Sequence, residues 1–385
     1  MTENHPLASA KPLTVDVDGH VMEPADTWQK YIDPAFRDRA LRIETDENGY
    51  EVLLLDNKPL EYLRGRMGAL GGINLDPAEL MTAGKISYAD GSPPGGYDPA
   101  ARIAVMDDEG IDISMLYPTL GISWEDNVKD PALANAYSMA YNRWLVDFCS
   151  HDTKRLIPVA HICLLDPIAA AAEATRARKA GCVSALISPD MDSREGKYLD
   201  DPSYDIVWAT LQDLDMPMAF HVVARERPFY HKWVRPEPAF LLFNFAFIAT
   251  DVMAAFTQLL TLGMLEKYPG LRCAVLETGA NWIASWLERL DHKFEVAANT
   301  PIKMLPSEYF RRQCIVSADP DETMTADVAH HVGPEYFVWA SDYPHIDASL
   351  GSVKEISGNI AALPDNERKM ILGENALRYY GLSRP

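Results

Sequence analysis

The run Thr-Val-Asp-Val-Asp-Gly-His at residues 14–20 contains the first side chains of the chain that are suited to metal chemistry. Two valines alternate with two acids, which is typical of a β-strand, so we expect Asp16, Asp18 and His20 to lie on one face. Carboxylates and an imidazole are costly to bury without partners, and together they suit a divalent metal ion. The run predicts half of a metal site, with solvated acids at a strand end as the alternative.

Length and composition allow two or three average domains or one α/β barrel with insertions, and the charge indicates an acidic surface. The chain has 385 residues, 48% of them hydrophobic, and a net charge of −21. This charge argues against nucleic acid or an anionic membrane as partner and suits a soluble protein, for which we expect a small-molecule substrate. The five cysteines are scattered, the first residues carry no signal-peptide pattern, and no apolar run reaches membrane-spanning length. We therefore expect a cytoplasmic protein with reduced thiols.

Short apolar strands alternate with helical segments along most of the chain. This alternation predicts a parallel sheet, and eight such units predict a distorted (β/α)8 TIM barrel that forms a single domain over residues 1–385. We expect an insertion with a β-hairpin at residues 21–100 and a helical insertion at 224–268. An open doubly wound sheet is the alternative. The predicted strands are residues 13–18, 111–117, 156–163, 182–188, 217–222, 272–277, 313–316 and 337–341.

Polar side chains end several of these predicted strands. His221 ends the fifth, Glu277 the sixth, and Asp342 follows the eighth. Since chemistry in such barrels takes place at the carboxyl ends of the strands, we expect these residues to meet Asp18 and His20 at one mouth. Asp18, His20, His221 and Asp342 would make a set of two histidines and two carboxylates for one divalent ion, zinc or manganese. Glu277 would then be free to act as a general base or acid.

Seven short motifs give the chain a resemblance to a known family. The chain resembles the amidohydrolase superfamily, in particular the branch that includes aminocarboxymuconate-semialdehyde decarboxylase and the resorcylate-type decarboxylases. The resemblance covers nearly the whole chain, and the order and spacing of the motifs make it specific. The motifs occupy residues 16–20, 106–113, 136–142, 220–221, 268–272, 340–344 and 371–376.

The resemblance implies a distorted (β/α)8 barrel with a metal site. By resemblance, His20, His221 and Asp342 match metal ligands of the family. The remaining ligand position is usually a histidine but is Asp18 in this chain, which makes the site harder and favours manganese or magnesium over zinc. A site without metal, in which the carboxylates hold a water molecule, stays an alternative.

Glu277 stands where the family's decarboxylases usually carry a histidine. A glutamate has an unperturbed pKa of about 4.3, against about 6.5 for histidine, so Glu277 should be ionised at neutral pH. An ionised base suits activation of water but is a poor proton donor to a ring carbon. We therefore expect a hydrolase that cleaves a C–N bond or displaces a ring substituent of a small cyclic or aromatic compound, with Glu277, Asp342 and His20 as catalytic residues.

Two other functions stay open. The first alternative is a metal-dependent nonoxidative decarboxylase of an aromatic or muconate-type acid, which the resemblance suggests. The second is a barrel that binds small molecules without catalysis. This second alternative is disfavoured because many ionisable groups are expected at one mouth.

Other residues near the predicted mouth are candidates for binding substrate or a partner subunit. Arg225 could pair with a carboxylate or nitro group, or else with Glu226, and His345 could touch the substrate or cap a helix. The aromatic residues 228–233 could form the wall of a flat pocket. The apolar residues 241–260 favour a subunit interface, and hence a homodimer or larger assembly.

Overall fold

Eight parallel strands close into a barrel. The computed structural model of the protein describes residues 11–73, 75–76, 86–225 and 240–385. Each barrel strand pairs with the next in chain order, and β11 returns to β1 through the register Asp16↔Trp339. The strands are β1 Val15–His20, β2 Arg42–Thr45, β3 Glu51–Leu55, β4 Lys58–Pro59, β5 Ile113–Tyr117, β6 Leu156–His161, β7 Ser184–Ile187, β8 Met218–Phe220, β9 Cys273–Val275, β10 Cys314–Ala318 and β11 Phe337–Trp339. The predicted TIM barrel is confirmed.

The apolar residues of the barrel strands pack on two faces. One set fills the interior of the barrel and includes Val17, Met115 and Val159. The other set packs outward against the helices and includes Val275 and Phe337. All residues of the eight barrel strands are buried, which is why the strands read as short, nearly continuous apolar runs.

The helices cover the outside of the barrel. The α-helices are Thr27–Tyr31, Tyr88–Gly91, Pro94–Tyr97, Pro99–Glu109, Pro131–Cys149, Pro167–Lys179, Asp205–Asp213, Phe240–Thr261, Met264–Lys267, Ile283–Val296, Pro306–Gln313, Thr325–Val332, Ser352–Asn359, Asp365–Lys369 and Asn375–Tyr380. The 3₁₀-helices are Pro34–Arg39, Glu61–Leu63, Met67–Ala69, Leu120–Ile122, Asp192–Arg194, Pro202–Tyr204 and Pro334–Tyr336. Met370–Glu374 forms a π-helical turn. No helix in the described part of the chain is long and apolar enough to span a membrane.

Three of the long helices start with the same Asp-Pro sequence. Asp98, Asp130 and Asp166 each precede a proline, and each carboxylate accepts hydrogen bonds from backbone N–H groups of the first turn. An aspartate at this position satisfies donors that the helix leaves unpaired, and proline suits the first helical position because it lacks an N–H. The Asp-Pro sequence therefore determines the residue at which each of these helices begins.

The segment between β1 and β5 contains a second, smaller sheet. Strands β2, β3 and β4 are antiparallel, and the pairing Thr45↔Glu51 forms the hairpin expected from the sequence. Helix Phe240–Thr261 lies after β8, and the insertion at 224–268 stays a prediction. The aromatic residues 228–233 lie outside the described residues. All five cysteines are buried free thiols.

Candidate metal centre

The carboxyl ends of four barrel strands bring the candidate residues together. His20 is the last residue of β1, and His221 directly follows β8. Glu277 lies two residues after β9, and Asp342 lies three residues after β11. Because all eight strands run parallel, these residues and Asp18 meet at one end of the barrel.

Two histidine rings converge on the carboxylate of Asp18. The Nε2 atom of His20 lies 3.5 Å from Asp18 Oδ1, and the Nε2 atom of His221 lies 3.5 Å from Asp18 Oδ2. The two Nε2 atoms are 3.0 Å apart. The Oδ1 atom of Asp342 approaches the same point, at 3.4 Å from His20 Nε2.

Backbone carbonyl groups fix the orientation of both rings. His20 Nδ1 lies 2.9 Å from the carbonyl oxygen of Pro118, and His221 Nδ1 lies 2.6 Å from that of Val222. Since a carbonyl oxygen can only accept, each Nδ1 carries a proton and donates it. This leaves Nε2 of both rings directed at Asp18, which is how metal-binding histidines are commonly oriented.

The carboxylate of Asp18 fits a bound cation. Its side chain is fully buried, and within the described part of the chain neither oxygen accepts a hydrogen bond. Burial raises the pKa of Asp18 well above its usual value, although the nearby His221 opposes this effect. An ionised, unpaired carboxylate is costly to bury, and a divalent ion among two imidazoles and two carboxylates would remove that cost. Asp18, His20 and His221 belong to one group of side chains able to hold a divalent metal ion, and Asp342 belongs to an overlapping group that shares His20.

Glu277 contacts His221. Its Oε2 atom lies 2.6 Å from His221 Nε2, and Asp18, His20, His221 and Glu277 can together supply ligand atoms to one ion. Burial by itself lowers the pKa of His221, but the charges of Asp18 and Glu277 outweigh it and raise the pKa to about 9. His221 is thus protonated while no metal is bound, so metal binding must release this proton.

Left-handed backbone occurs at two of these positions. Glu277 has φ of 48° and Asp342 has φ of 53°. Such conformations are uncommon for residues other than glycine and tend to occur at functional sites, where the surrounding structure enforces them. Here the strained residues are the ones that turn a carboxylate toward the mouth.

His345 joins the cluster through Asp342. Its Nδ1 atom lies 2.7 Å from Asp342 Oδ1, and its Nε2 atom lies 2.9 Å from the hydroxyl oxygen of Thr119. The ring stands 4.0 Å from the ring of His20, centroid to centroid. Burial lowers the pKa of His345 to about 4, so the ring is neutral. Asp342, His345 and His20 therefore form a contiguous polar group at the mouth.

Asp16 does not share the face of Asp18 and His20, and the expectation that it would is wrong. Its carboxylate accepts hydrogen bonds from the hydroxyl groups of Ser114, at 2.8 Å, and Ser341, at 2.9 Å. The register between β1 and β5 shifts between Asp16 and Gly19, which breaks the simple alternation of faces. Asp16 instead ties β1 to its two neighbouring strands.

Arg225 is held by aspartates. Its guanidinium contacts Asp190, Asp192 and Asp251, and its side chain is only 4% exposed. The alternative partner that the sequence suggested, Glu226, lies outside the described residues. A contact between Arg225 and a substrate stays a prediction.

Thr119 and Pro118 were missed by the sequence reasoning. Both lie directly after β5, and they contact His345 and His20. The same strand-end argument that selected His221 applies to this position, so it was the available signal. A backbone carbonyl group such as that of Pro118, however, has no signature in sequence.

Known proteins similar to this chain are decarboxylases and amidohydrolases. The gamma-resorcylate decarboxylase of Polaromonas sp. strain JS666 is 25% identical over 300 residues, covering 74% of this chain and 87% of that protein. An amidohydrolase from Mycobacterium avium subsp. paratuberculosis K-10 has a similar structure, with a TM-score of 0.82, 21% identity, and coverage of 97% of this chain and 100% of that one. A 5-carboxyvanillate decarboxylase from Novosphingobium aromaticivorans, complexed with manganese and 4-hydroxy-3-methoxy-5-nitrobenzoic acid, has a TM-score of 0.67 at 20% identity, with 96% of each chain covered.

The expectation of hydrolysis is wrong in light of these relatives. Hydrolysis was expected because Glu277 would be free to act as a base for water. The gamma-resorcylate decarboxylases of Polaromonas sp. and Rhodococcus jostii, to which the chain is similar, are instead decarboxylases. The geometry removes the physical basis as well, since the Glu277 carboxylate is engaged with His221 at 2.6 Å. The exchange of histidine for Glu277 was therefore weaker evidence about the reaction than similarity along most of the chain.

Similarity to one family extends over almost all of the sequence. A family model described as amidohydrolase matches residues 15–382, from the first barrel strand to the end of the last helix. The closed barrel and the group of histidines and carboxylates at its mouth agree with that match. The chain therefore belongs to the amidohydrolase family and is an enzyme of the amidohydrolase superfamily.

Proposed function

We propose that this enzyme is a metal-dependent nonoxidative decarboxylase that acts on an aromatic acid. The observation that carries the proposal is that His20 lies within 3.5 Å of both Asp18 and Asp342, and His221 within 3.5 Å of Asp18, in a chain that spans 87% of a gamma-resorcylate decarboxylase. We further propose that residues 1–385 form one domain, with 21–100 and 224–268 as insertions into the barrel.

We propose that Asp18, His20, His221 and Asp342 hold the metal ion. Manganese is the preferred candidate, since two carboxylates make the set hard and the Novosphingobium decarboxylase was solved with manganese. Zinc is the alternative. When bound, the ion would supply Lewis-acid binding of the anionic oxygen atoms of the substrate. It would also offset the negative charge that three carboxylates place at the mouth.

Asp342 is the proposed proton donor. While no metal is bound, burial and the charges of Glu277 and Asp347 raise the pKa of Asp342 well above its usual value, which favours the protonated form of this group. Asp342 would give the proton to the ring carbon that bears the carboxylate. The C–C bond then breaks, its electron pair returns to the ring, and CO₂ leaves. His345, whose Nδ1 atom lies 2.7 Å from Asp342 Oδ1, would stabilise the aspartate left behind.

Glu277 and His345 shape the site around that proton transfer. Glu277 would hold His221 in place through their 2.6 Å contact, and His345 would face the substrate beside Asp342. Arg225 stays a candidate for binding the substrate carboxylate, and its contacts with Asp190 and Asp251 would hold it in position after β8.

An assay of CO₂ release tests the proposal. Manganese-loaded enzyme is incubated with 2,6-dihydroxybenzoate, 5-carboxyvanillate and related hydroxybenzoates, and headspace CO₂ and ring products are measured. At least one acid should be decarboxylated, and His221→Ala should reduce the rate by about 100-fold or more. The matched control is His292→Ala, which alters an exposed histidine of helix Ile283–Val296. Absence of CO₂ release from every acid, with metal bound and the acids shown to bind, would indicate the non-catalytic alternative.

A further inference from the structure

Glu23 has surroundings that the proposed reaction does not use. It lies three residues after His20 and is fully buried. Its carboxylate accepts hydrogen bonds from three successive backbone N–H groups: those of Thr119, at 3.2 Å to Oε1 and 3.3 Å to Oε2, of Leu120, at 2.9 Å, and of Gly121, at 3.1 Å. Burying a carboxylate is costly, so this arrangement needs a reason beyond filling space.

The loop that Glu23 holds orients two site histidines. The carbonyl oxygen of Pro118 lies 2.9 Å from His20 Nδ1, and the hydroxyl of Thr119 lies 2.9 Å from His345 Nε2. Fixing the N–H groups of residues 119–121 therefore also fixes the two atoms of the loop that contact the rings.

We propose that Glu23 is a positioning residue of the metal centre: by binding the backbone of residues 119–121, it fixes Pro118 and Thr119 and so orients the rings of His20 and His345. The inference deepens the proposed function and rests on it only for the identity of the bound ion. Glu23 itself touches neither the rings nor the proposed metal position among the contacts of the described residues.

The chemistry of the side chain explains why a carboxylate stands here. Both of its oxygens accept, so it can satisfy all three N–H groups at once. A glutamine has nearly the same shape, but its NH₂ group would face an N–H donor and leave that donor unpaired. The packing is tight as well, because a Cβ atom at Gly121 would lie 2.5 Å from Pro118 Cβ. The loop thus has little room to find another arrangement.

Manganese affinity of the variant Glu23→Gln tests the proposal. Purified metal-free protein is titrated with Mn²⁺ at pH 8, with binding followed by electron paramagnetic resonance and thermal stability measured on the same samples. We expect Glu23→Gln to weaken Mn²⁺ binding by about 10-fold or more, the scale on which outer residues affect metal affinity. If Glu23→Gln does not fold, Glu23→Asp is used in its place, because it keeps the negative charge. The shorter side chain of the aspartate should still weaken Mn²⁺ binding.

The matched control is Glu173→Gln. Glu173 is another buried carboxylate, and it binds Asn142 and Arg176 rather than the loop after β5. Glu173→Gln should lower stability while leaving Mn²⁺ affinity within about twofold of the wild type. Unchanged affinity in Glu23→Gln, or an equal loss in Glu173→Gln, would overturn the positioning role.

A second readout does not depend on the metal. Nitrogen-15 NMR of histidine-labelled, metal-free protein, with His20→Ala for assignment, reports whether His20 carries its proton on Nδ1. Wild type should show that proton and Glu23→Gln should lose it or show it exchanging rapidly; an unchanged signal would contradict the proposal. If the wild type binds no Mn²⁺, the metal part of the proposed function fails, and this NMR result alone then decides the role of Glu23.

Discussion

At the scale of single residues, Asp18 is the side chain whose surroundings point most directly to a cation. It is buried, it accepts no hydrogen bond from the described residues, and two imidazole nitrogens lie 3.5 Å from its oxygens. An apolar side chain would be less costly to fold in this position. The carboxylate is therefore expected to contribute to function at the expense of stability.

The variant Asp18→Asn should separate these two contributions. We expect Mn²⁺ affinity to fall by about 100-fold, because an anionic ligand is lost, while metal-free protein measured above pH 9, where His221 is neutral, becomes more stable by about 1 kcal/mol, because a buried charge without a cationic partner is removed. Isothermal titration and urea denaturation measure the two effects. Asp213→Asn, at an exposed helix position, is the control. A variant that loses stability without metal, or that keeps wild-type affinity, would contradict this reading of Asp18.

Glu23 should make stability depend on pH. Burial raises its pKa to about 7 despite the opposing backbone N–H groups, while the unfolded chain has a value near 4.5. Between these values the folded state keeps a proton that the unfolded state loses, so the free energy of unfolding should fall as pH rises from about 4.5 to about 7, by roughly 1–3 kcal/mol. The charged and titratable groups facing it are the phenols of Tyr88 and Tyr141, which stay neutral in this range.

Urea denaturation of metal-free wild type and Glu23→Gln across this pH range measures the effect. The glutamine does not titrate, so the difference between the two proteins isolates Glu23. A difference that is constant from pH 4.5 to pH 8 would show that burial does not shift this group.

Polar residues at strand ends identify the side chains that bear chemistry but not the groups that position them. Asp18, His20, His221, Glu277 and Asp342 were selected from sequence because each is a polar residue that ends an apolar run, and the structure brings them together. The carbonyl of Pro118 and the three N–H groups that Glu23 binds are backbone groups, which every residue possesses. Only the path of the chain determines which of them reach the site.

At the scale of elements, the loop after β9 is held in the same manner as the loop after β5. The carboxylate of Glu322 accepts hydrogen bonds from the N–H groups of Ala280, at 2.7 Å, and Asn281, at 3.0 Å. Gly279 lies against it with φ of 62°, and a Cβ atom there would lie 2.5 Å from Glu322 Oε1. The turn that carries Glu277 thus requires glycine two residues later.

The variant Gly279→Ala should disturb this turn. We expect a loss of about 1–3 kcal/mol in stability, from left-handed backbone and the clash with Glu322, together with lower activity since Glu277 shifts. Gly358→Ala is the control, because it lies in helix Ser352–Asn359 with open space around its Cβ position and should be neutral or stabilising. Chemical denaturation and the CO₂ assay report both effects. Wild-type stability in Gly279→Ala would show that the loop adapts freely.

The elements themselves were well predicted because their local signals agree with the fold. All eight barrel strands occur where apolar runs predicted them, and Asp-Pro caps mark three of the helices that follow. The error at Asp16 arose within a correctly predicted strand. A register shift depends on how β1 pairs with β5, and that is not encoded in the alternation of one strand.

At the scale of the whole molecule, assembly stays a prediction. Helix Phe240–Thr261 is strongly apolar, and Phe245 on it is 43% exposed. Such a face favours a homodimer or larger assembly. Sedimentation velocity should show a mass of at least twice that of one chain, and Phe245→Asp should shift the population toward monomer. A wild-type monomer at micromolar concentration would contradict the prediction.

The carboxylates and histidines at the barrel mouth are proposed to hold a metal ion that decarboxylation requires. The direct measurement is release of ¹³CO₂ from ¹³C-carboxyl-labelled 2,6-dihydroxybenzoate and 5-carboxyvanillate by one sample, assayed as prepared, after chelator treatment, and after Mn²⁺ is restored. We expect release to fall by about 100-fold on chelation and to return with Mn²⁺. Release that is unaffected by removal of the metal, or no release from a fully loaded enzyme that binds these acids, would contradict it.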